Sequence, residues 1–166
     1  MREKDLSETA YEKLAAKVLA ICQRHHVPCI LHSFPEIALR LHVSAIHLPL
    51  PLLRNMTGIQ KTAFQVIGSS CHSLQEAKEA KRLGCTYIIA GHIFATACKP
   101  RLAARGIPFL KEICANTALP VYAIGGINSE NAPFVRHAGA KGLCVMSGIM
   151  QCNDPAAYLK IMEESR

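Results

Sequence analysis

Residues 65–94 read QVIGSSCHSLQEAKEAKRLGCTYIIAGHIF, and one complete unit of α/β architecture can be taken from this stretch. Gln65-Val-Ile-Gly68 is a short apolar run of the kind that forms a buried strand. Ser73 and Glu76 then stand at the three-residue spacing of a reciprocal capping box, which opens a helix reaching Leu83. Gly84 supplies a left-handed helix stop. Thr86-Tyr-Ile-Ile-Ala90 is a second apolar run and closes on Gly91-His92. Two buried strands joined by a helix make a right-handed βαβ unit, and therefore a parallel pair.

The same pattern extends in both directions. Tyr11, Leu14, Ala15, Val18, Leu19 and Cys22 recur at helical spacing and predict a helix from Ser7 to His25, capped by Asp5 or Ser7. Four more apolar runs, Pro28–Leu31, Ala45–Leu48, Val121–Ile124 and Leu143–Met146, bring the predicted strands to six, each expected to be buried on both faces. Helical patterns over Pro35–His42, Ala103–Ala118 and Ser129–Ala138, and a last helix opened by Asp154-Pro155, alternate with them. Arg82-Leu-Gly84 before one strand is echoed by His137-Ala-Gly139 before another. A parallel sheet follows, either doubly wound or of (β/α)8 TIM-barrel type. Glycine-bearing turns after the last two strands favour the barrel, whose phosphate groups are usually gripped there.

Composition narrows the function. The chain has 166 residues and a mass of 18.1 kDa, so residues 1–166 are expected to form one domain. Trp is absent and aromatics make up 5%, which removes the stacking platforms of single-stranded nucleic-acid binding. The formal charge of +7 therefore needs another reading, for which an anionic small substrate is one candidate, and no nucleic acid is expected as partner. Met1 to Glu8 are too polar for the apolar region of a signal peptide, and Ala45–Leu53, broken by Pro49 and Pro51, is too short to cross a bilayer. The protein reads as cytoplasmic, with no membrane partner. Its eight cysteines lack any Cys-x-x-Cys pair and fall in apolar runs (Cys29, Cys85, Cys144), as reduced, buried thiols do.

Polar residues gather at the carboxyl ends of the predicted strands: His32, His47, the Ser69–His72 run, Gly91-His92, Gly125-Gly126 and Ser147-Gly148. In parallel α/β folds ligands bind at that edge. Gly125-Gly126 leads towards a helix expected to be capped by Asn128 or Ser129, so backbone N–H groups there can face an anion. Met146-Ser147-Gly148 offers the same after the last strand. His92 has the chemistry for proton transfer near neutral pH, with Thr96 and Lys99 following on its loop. His72 is a second candidate, but Cys71 beside it is no dyad partner, because adjacent residues point apart. His25, His26, His42 and His137 lie at helix ends, where they complement the dipole.

Gly68-Ser-Ser-Cys-His72, Gly91-His-Ile-Phe-Ala-Thr96 with Lys99, Ala123-Ile-Gly-Gly-Ile127 and Val145-Met-Ser-Gly-Ile149, in this order, resemble the thiamine phosphate synthase superfamily. Arg2-Glu-Lys-Asp-Leu6 resembles the end of that family's second strand, where basic residues approach phosphate; on this resemblance Arg2 and Lys4 join the anion-binding set. The form Gly91-His-Ile-Phe94 is similar to the TenI branch of thiazole tautomerases. Synthases carry acidic residues after their third and fourth strands that serve magnesium pyrophosphate. The matching segments here, Leu31-His-Ser-Phe34 and His47-Leu-Pro-Leu-Pro51, hold no carboxylate.

The resemblance therefore implies an isomerase without metal or redox cofactor, in which His92, with His72 as alternative, aromatises a carboxythiazole phosphate by proton transfer. Gly125, Gly126, Met146, Ser147 and Gly148 would hold the phosphate. The alternatives are a thiamine phosphate synthase, a transferase joining a thiazole phosphate to a pyrimidine pyrophosphate, and a phosphate-binding regulator without catalysis. A (β/α)8 barrel seldom has fewer than about 200 residues. With six strands readable, the barrel is expected to be incomplete, its first βα unit missing. Open barrel edges leave a homo-oligomer possible.

Overall fold

Six parallel strands lie side by side in chain order: β1 (Leu31–His32), β2 (Ala45–Pro49), β3 (Val66–Cys71), β4 (Tyr87–Gly91), β5 (Val121–Ile124) and β6 (Gly142–Cys144). The computed structural model describes residues 1–3 and 5–164. An order that never reverses has no switch point, so the sheet is singly wound and curves as a half-barrel rather than a doubly wound sheet. Among the described residues, α1 (Glu8–Arg24) precedes β1, and α2 (Pro35–Arg40), α5 (Leu74–Arg82), α6 (Gly106–Asn116) and α7 (Ala132–His137) make the crossovers predicted from sequence. α9 (Pro155–Glu164) ends the described chain.

Strand alternation sorts the sheet into two faces. Ile46, Leu48, Ile67, Cys71, Ile88, Ala90, Val121 and Ala123 point towards the helices and are buried, where they meet Tyr11, Ala15, Ile37, Leu110 and Val135. The opposite, concave face carries His32, His47, Ser70, Tyr87, Ile89, Tyr122, Ile124 and Cys144. Here the expectation of strands buried on both faces fails: Ile89 and Tyr122 are half-buried and Ile124 is 36% exposed. Among the described residues no further strand forms an opposite wall to cover them.

Three short helices were not anticipated: α3 (Leu50–Asn55), α4 (Gly58–Thr62) and α8 (Ser147–Gln151). The prolines at 49 and 51, read as breakers, instead open α3, since proline fits the first helical turn, where no N–H partner is needed. Thr57 and Gln60 cap α4 reciprocally. α1 is capped by Ser7, whose hydroxyl accepts from the Ala10 N–H; Asp5 does not cap it. Capping of α5 also departs from the expected box. Ser73 Oγ accepts from Glu76 N–H at 3.1 Å, but the Glu76 carboxylate turns to the His72 N–H.

α6 begins at Gly106, three residues later than predicted, and α7 at Ala132 rather than Ser129. Before α7 the Asn128 carboxamide oxygen accepts from Glu130 N–H and Asn131 N–H, holding residues 128–131 in a turn. All eight cysteines are free thiols, but only Cys71 and Cys85 are buried, and Cys98 is exposed. No described helix is long and apolar enough to cross a membrane.

Candidate active site at the carboxyl edge of the sheet

β3 and β4 deliver the two candidate histidines to one place. His72, just past β3, donates from Nδ1 to the Gly91 carbonyl at 2.7 Å, and Arg105 Nε donates to the same oxygen at 3.2 Å. His92 follows Gly91 and is buried, its Nε2 donating to the Leu102 carbonyl at 3.1 Å. A carbonyl can only accept, so the hydrogen lies on His72 Nδ1 and on His92 Nε2. In the neutral rings this leaves His72 Nε2 and His92 Nδ1 as acceptors. Cys71 faces the helices, and burial pushes its thiol up to about 12, so it takes no part.

The loop after β4 is laced to the turn after β5. Ile93 N–H donates to Ile124 O and Phe94 N–H to Gly125 O, each at 3.0 Å. Gly125 (φ +103°) and Gly126 (φ +65°) adopt conformations that disfavour other residues. A side chain at Gly125 would run into His92 Cβ, and one at Gly126 into the Ala95 carbonyl. These glycines thus let two loops approach closely. The helix expected directly after them is displaced by the Asn128–Asn131 turn, so its N-terminus does not follow Gly126. Met146 is the N-cap of α8, Ser147 and Gly148 are its first residues, and Gly148 lies under the Tyr158 ring.

Thr96 Oγ1 accepts from Cys98 N–H, and Lys99 N–H donates to Thr96 O, so both residues belong to one tight turn in which Thr96 is half-buried and Lys99 exposed. Arg2 is exposed. Lys4 lies outside the described residues.

A polar cluster on the concave face was missed as a unit, although His32 and His47 were recognised as strand-end residues. His47, 6% exposed, lies between Tyr87 OH (2.9 Å from Nδ1) and Ser70 Oγ (2.9 Å from Nε2), and its ring stacks on His32 with centroids 5.3 Å apart. Tyr87 reaches from β4 to β2 over Gly68, which lies between them in register. Burial, reinforced by the positive charge of His32, the terminal amine and Arg2, lowers His47 to about 4. The ring is therefore neutral at pH 7, donating through one nitrogen and accepting at the other. Burial also raises the Tyr87 phenol, which stays protonated. Arg105 was missed as well; its signal was a guanidinium six residues after Lys99, on the same loop as His92.

A singly wound α/β half-barrel whose candidate histidines and glycine turns lie at the carboxyl ends of its strands is a barrel-type protein. Residues 1–149 match the family model described as thiamine monophosphate synthase, and the chain belongs to that family. It is 32% identical over 172 residues to a thiamine-phosphate synthase of Caldanaerobacter subterraneus, covering 100% of this chain and 78% of that protein. It is 36% identical over 166 residues to one of Desulfitobacterium hafniense, covering 96% and 78%. Among solved structures, a thiamine phosphate pyrophosphorylase from Pyrococcus furiosus superposes with a TM-score of 0.83 at 28% identity, covering 99% of this chain and 82% of that one.

These relatives correct the isomerase expectation. They are named as synthases, which are transferases, and the similarity spans the whole chain, whereas the tautomerase reading rested on Gly91-His-Ile-Phe94. Four residues whose backbone is fixed by loop packing are too local to decide a reaction.

Family resemblance attaches magnesium to pyrophosphate, and the residues present do not fit it. Magnesium is held through one or two carboxylates besides phosphate oxygens. Beyond β1 stand Ser33 and Phe34, and beyond β2 stand Leu50 and Pro51. Of the carboxylates near this edge, Glu36 accepts from Gln60 and Glu76 from the His72 N–H. No group of three or more metal-ligating side chains exists among the described residues.

Proposed function

We propose that this chain is a thiamine-phosphate synthase that joins a thiazole phosphate to a pyrimidine pyrophosphate, with residues 1–166 working as one domain. The observation that carries the reading is identity of 32–36% across nearly the whole chain to proteins of that name. In this reaction the thiazole nitrogen forms a bond to the methylene carbon of the pyrimidine. The carbon–oxygen bond breaks, and pyrophosphate leaves with the electron pair.

Three features of the edge suit that chemistry. Backbone N–H groups at Gly125, Gly126, Met146, Ser147 and Gly148 hold the thiazole phosphate away from the reacting atoms. Arg2, Lys4, Thr96 and Lys99 add charge and hydrogen bonds for the second anion. His92, or else His72, supplies a ring N–H to the leaving oxygen as charge gathers there.

The test is to supply both substrates and follow thiamine phosphate and released pyrophosphate by chromatography. Product is expected in stoichiometric pairs; none, with or without added magnesium, refutes the reading. His92→Gln is expected to lower kcat about a hundredfold or more while thiazole phosphate binds as before by calorimetry. Near-full turnover in His92→Gln with loss in His72→Gln would transfer the role to His72.

A further inference from the structure

We propose that the pyrophosphate end of the substrate is neutralised in this chain by Arg105, assisted by Lys99 and Arg101 on the same loop, in place of a carboxylate-held magnesium ion; this rests on the transferase reading above. The misfit of the edge to magnesium is one half of the argument. The other half is a concentration of positive charge where the carboxylates are lacking. Residues 80–111 contain Lys81, Arg82, Lys99, Arg101, Arg105 and Lys111 and no Asp or Glu. Three of these cations sit on the loop between β4 and α6.

Arg105 is the one held in place. Its backbone N–H donates to His92 O at 3.0 Å, its Nε to Gly91 O at 3.2 Å, and its guanidinium carbon lies 5.4 Å from the Phe109 ring centroid. These contacts use one of its side-chain nitrogens. The two Nη groups make no hydrogen bond or ion pair to any described residue. Arg40 and Arg54 differ: each spends Nε and Nη2 on both oxygens of one carboxylate, Glu12 and Glu79 respectively. A planar fork of N–H donors, fixed at its root and open at its tip, matches two oxygens of a phosphate group. Because His72 donates to the same Gly91 carbonyl, an anion on that fork lies beside the histidines that serve the leaving oxygen.

The experiment is titration calorimetry of inorganic pyrophosphate into the full chain, once with EDTA and once with excess magnesium chloride. Binding in EDTA is expected, no weaker than with magnesium. Arg105→Gln should weaken it about tenfold or more, and Arg105→Lys, which keeps the charge without the fork, by less. Binding that requires magnesium, or an Arg105→Gln affinity equal to the parent's, overturns the proposal. Arg105 is exposed at the start of α6, so melting temperatures accompany each titration. Should Arg105→Gln unfold, Lys99→Gln and Arg101→Gln decide instead, each expected to weaken binding measurably and overturning the proposal if neither does. Turnover in the same two buffers separates the two readings. Pyrophosphate bound in EDTA without turnover in either buffer sinks the transferase alone; turnover only with magnesium sinks the anion site alone.

Discussion

The two faces of the sheet obey different physics. On the helix-covered face Ile46, Leu48, Ile67, Ile88, Val121 and Ala123 are at most 4% exposed and belong to one apolar core, in which the buried Ser69 hydroxyl donates to the Leu48 carbonyl. On the concave face His47 is as enclosed as they are, but it is surrounded by hydroxyl groups and a second imidazole, and the residues around it are half open. One face therefore supplies the free energy that holds strands and helices together. The other spends burial on polar groups that must all be paired, which is tolerable because each has a partner.

That division can be broken most directly at neighbouring positions on β4. Ile88 points to the helices and is fully buried, whereas Ile89 points to the concave face and is half-buried. Truncating a buried isoleucine costs about 2–5 kcal/mol, because lost transfer energy and a residual cavity add. Ile88→Ala is expected near about 3–4 kcal/mol by urea unfolding, and Ile89→Ala at no more than about 1–2 kcal/mol, since water fills the space. Equal losses would mean that the concave face is closed in solution, as by a partner covering it.

How far sequence reading reached follows the same line. The helix-covered face was legible because each of its residues belongs to a local apolar run bounded by caps and glycines. All six strands and the connecting helices α2, α5, α6 and α7 can be located that way, whereas α3 and α4 between β2 and β3 cannot. The concave face was not legible as an assembly. His47 and Tyr87 are forty positions apart, and they meet because Gly68 on the strand between them has no side chain. Register across three strands fixes that contact, and no local pattern encodes register. Arg105 is similar: its place depends on where α6 starts, and that boundary was misjudged by three residues.

The next expected effect is a pH dependence of the concave face. An unfolded histidine titrates near about 6.5, whereas His47 in the fold is lowered to about 4, chiefly by burial. Between these values the unfolded chain takes up a proton that the folded chain refuses, so stability rises with pH. The contribution is complete above about 6.5 and is lost as pH falls towards 4. Its full size is about 3 kcal/mol. Urea unfolding at pH 7 and pH 4.5 measures it against His47→Gln, in which the carboxylates still titrate but the imidazole does not. The parent should lose about 2–3 kcal/mol more than the variant over this interval. Parallel losses would place His47 in contact with water.

The smallest effect sharpens the comparison best, because it separates packing from polarity on one face. A methyl group at Gly68 would overlap the Tyr87 ring, which lies across it to reach His47. Gly68→Ala must therefore displace the ring or the strand, and overpacking of this kind costs about 1–3 kcal/mol. Loss of the Tyr87–His47 hydrogen bond is part of that cost, and the half-open surroundings let the ring move, so a value of about 1–2 kcal/mol is expected. The Tyr87→Ala background decides the cause. With the ring gone, alanine at 68 no longer meets an obstacle, and the ordinary preference of a strand for alanine over glycine, about 0.5–1 kcal/mol, should reverse the sign. A double-mutant cycle by urea unfolding reads this coupling directly. If Gly68→Ala destabilised both backgrounds equally, the glycine would be needed for its backbone, and the bridge from β4 to β2 would not depend on the space it leaves.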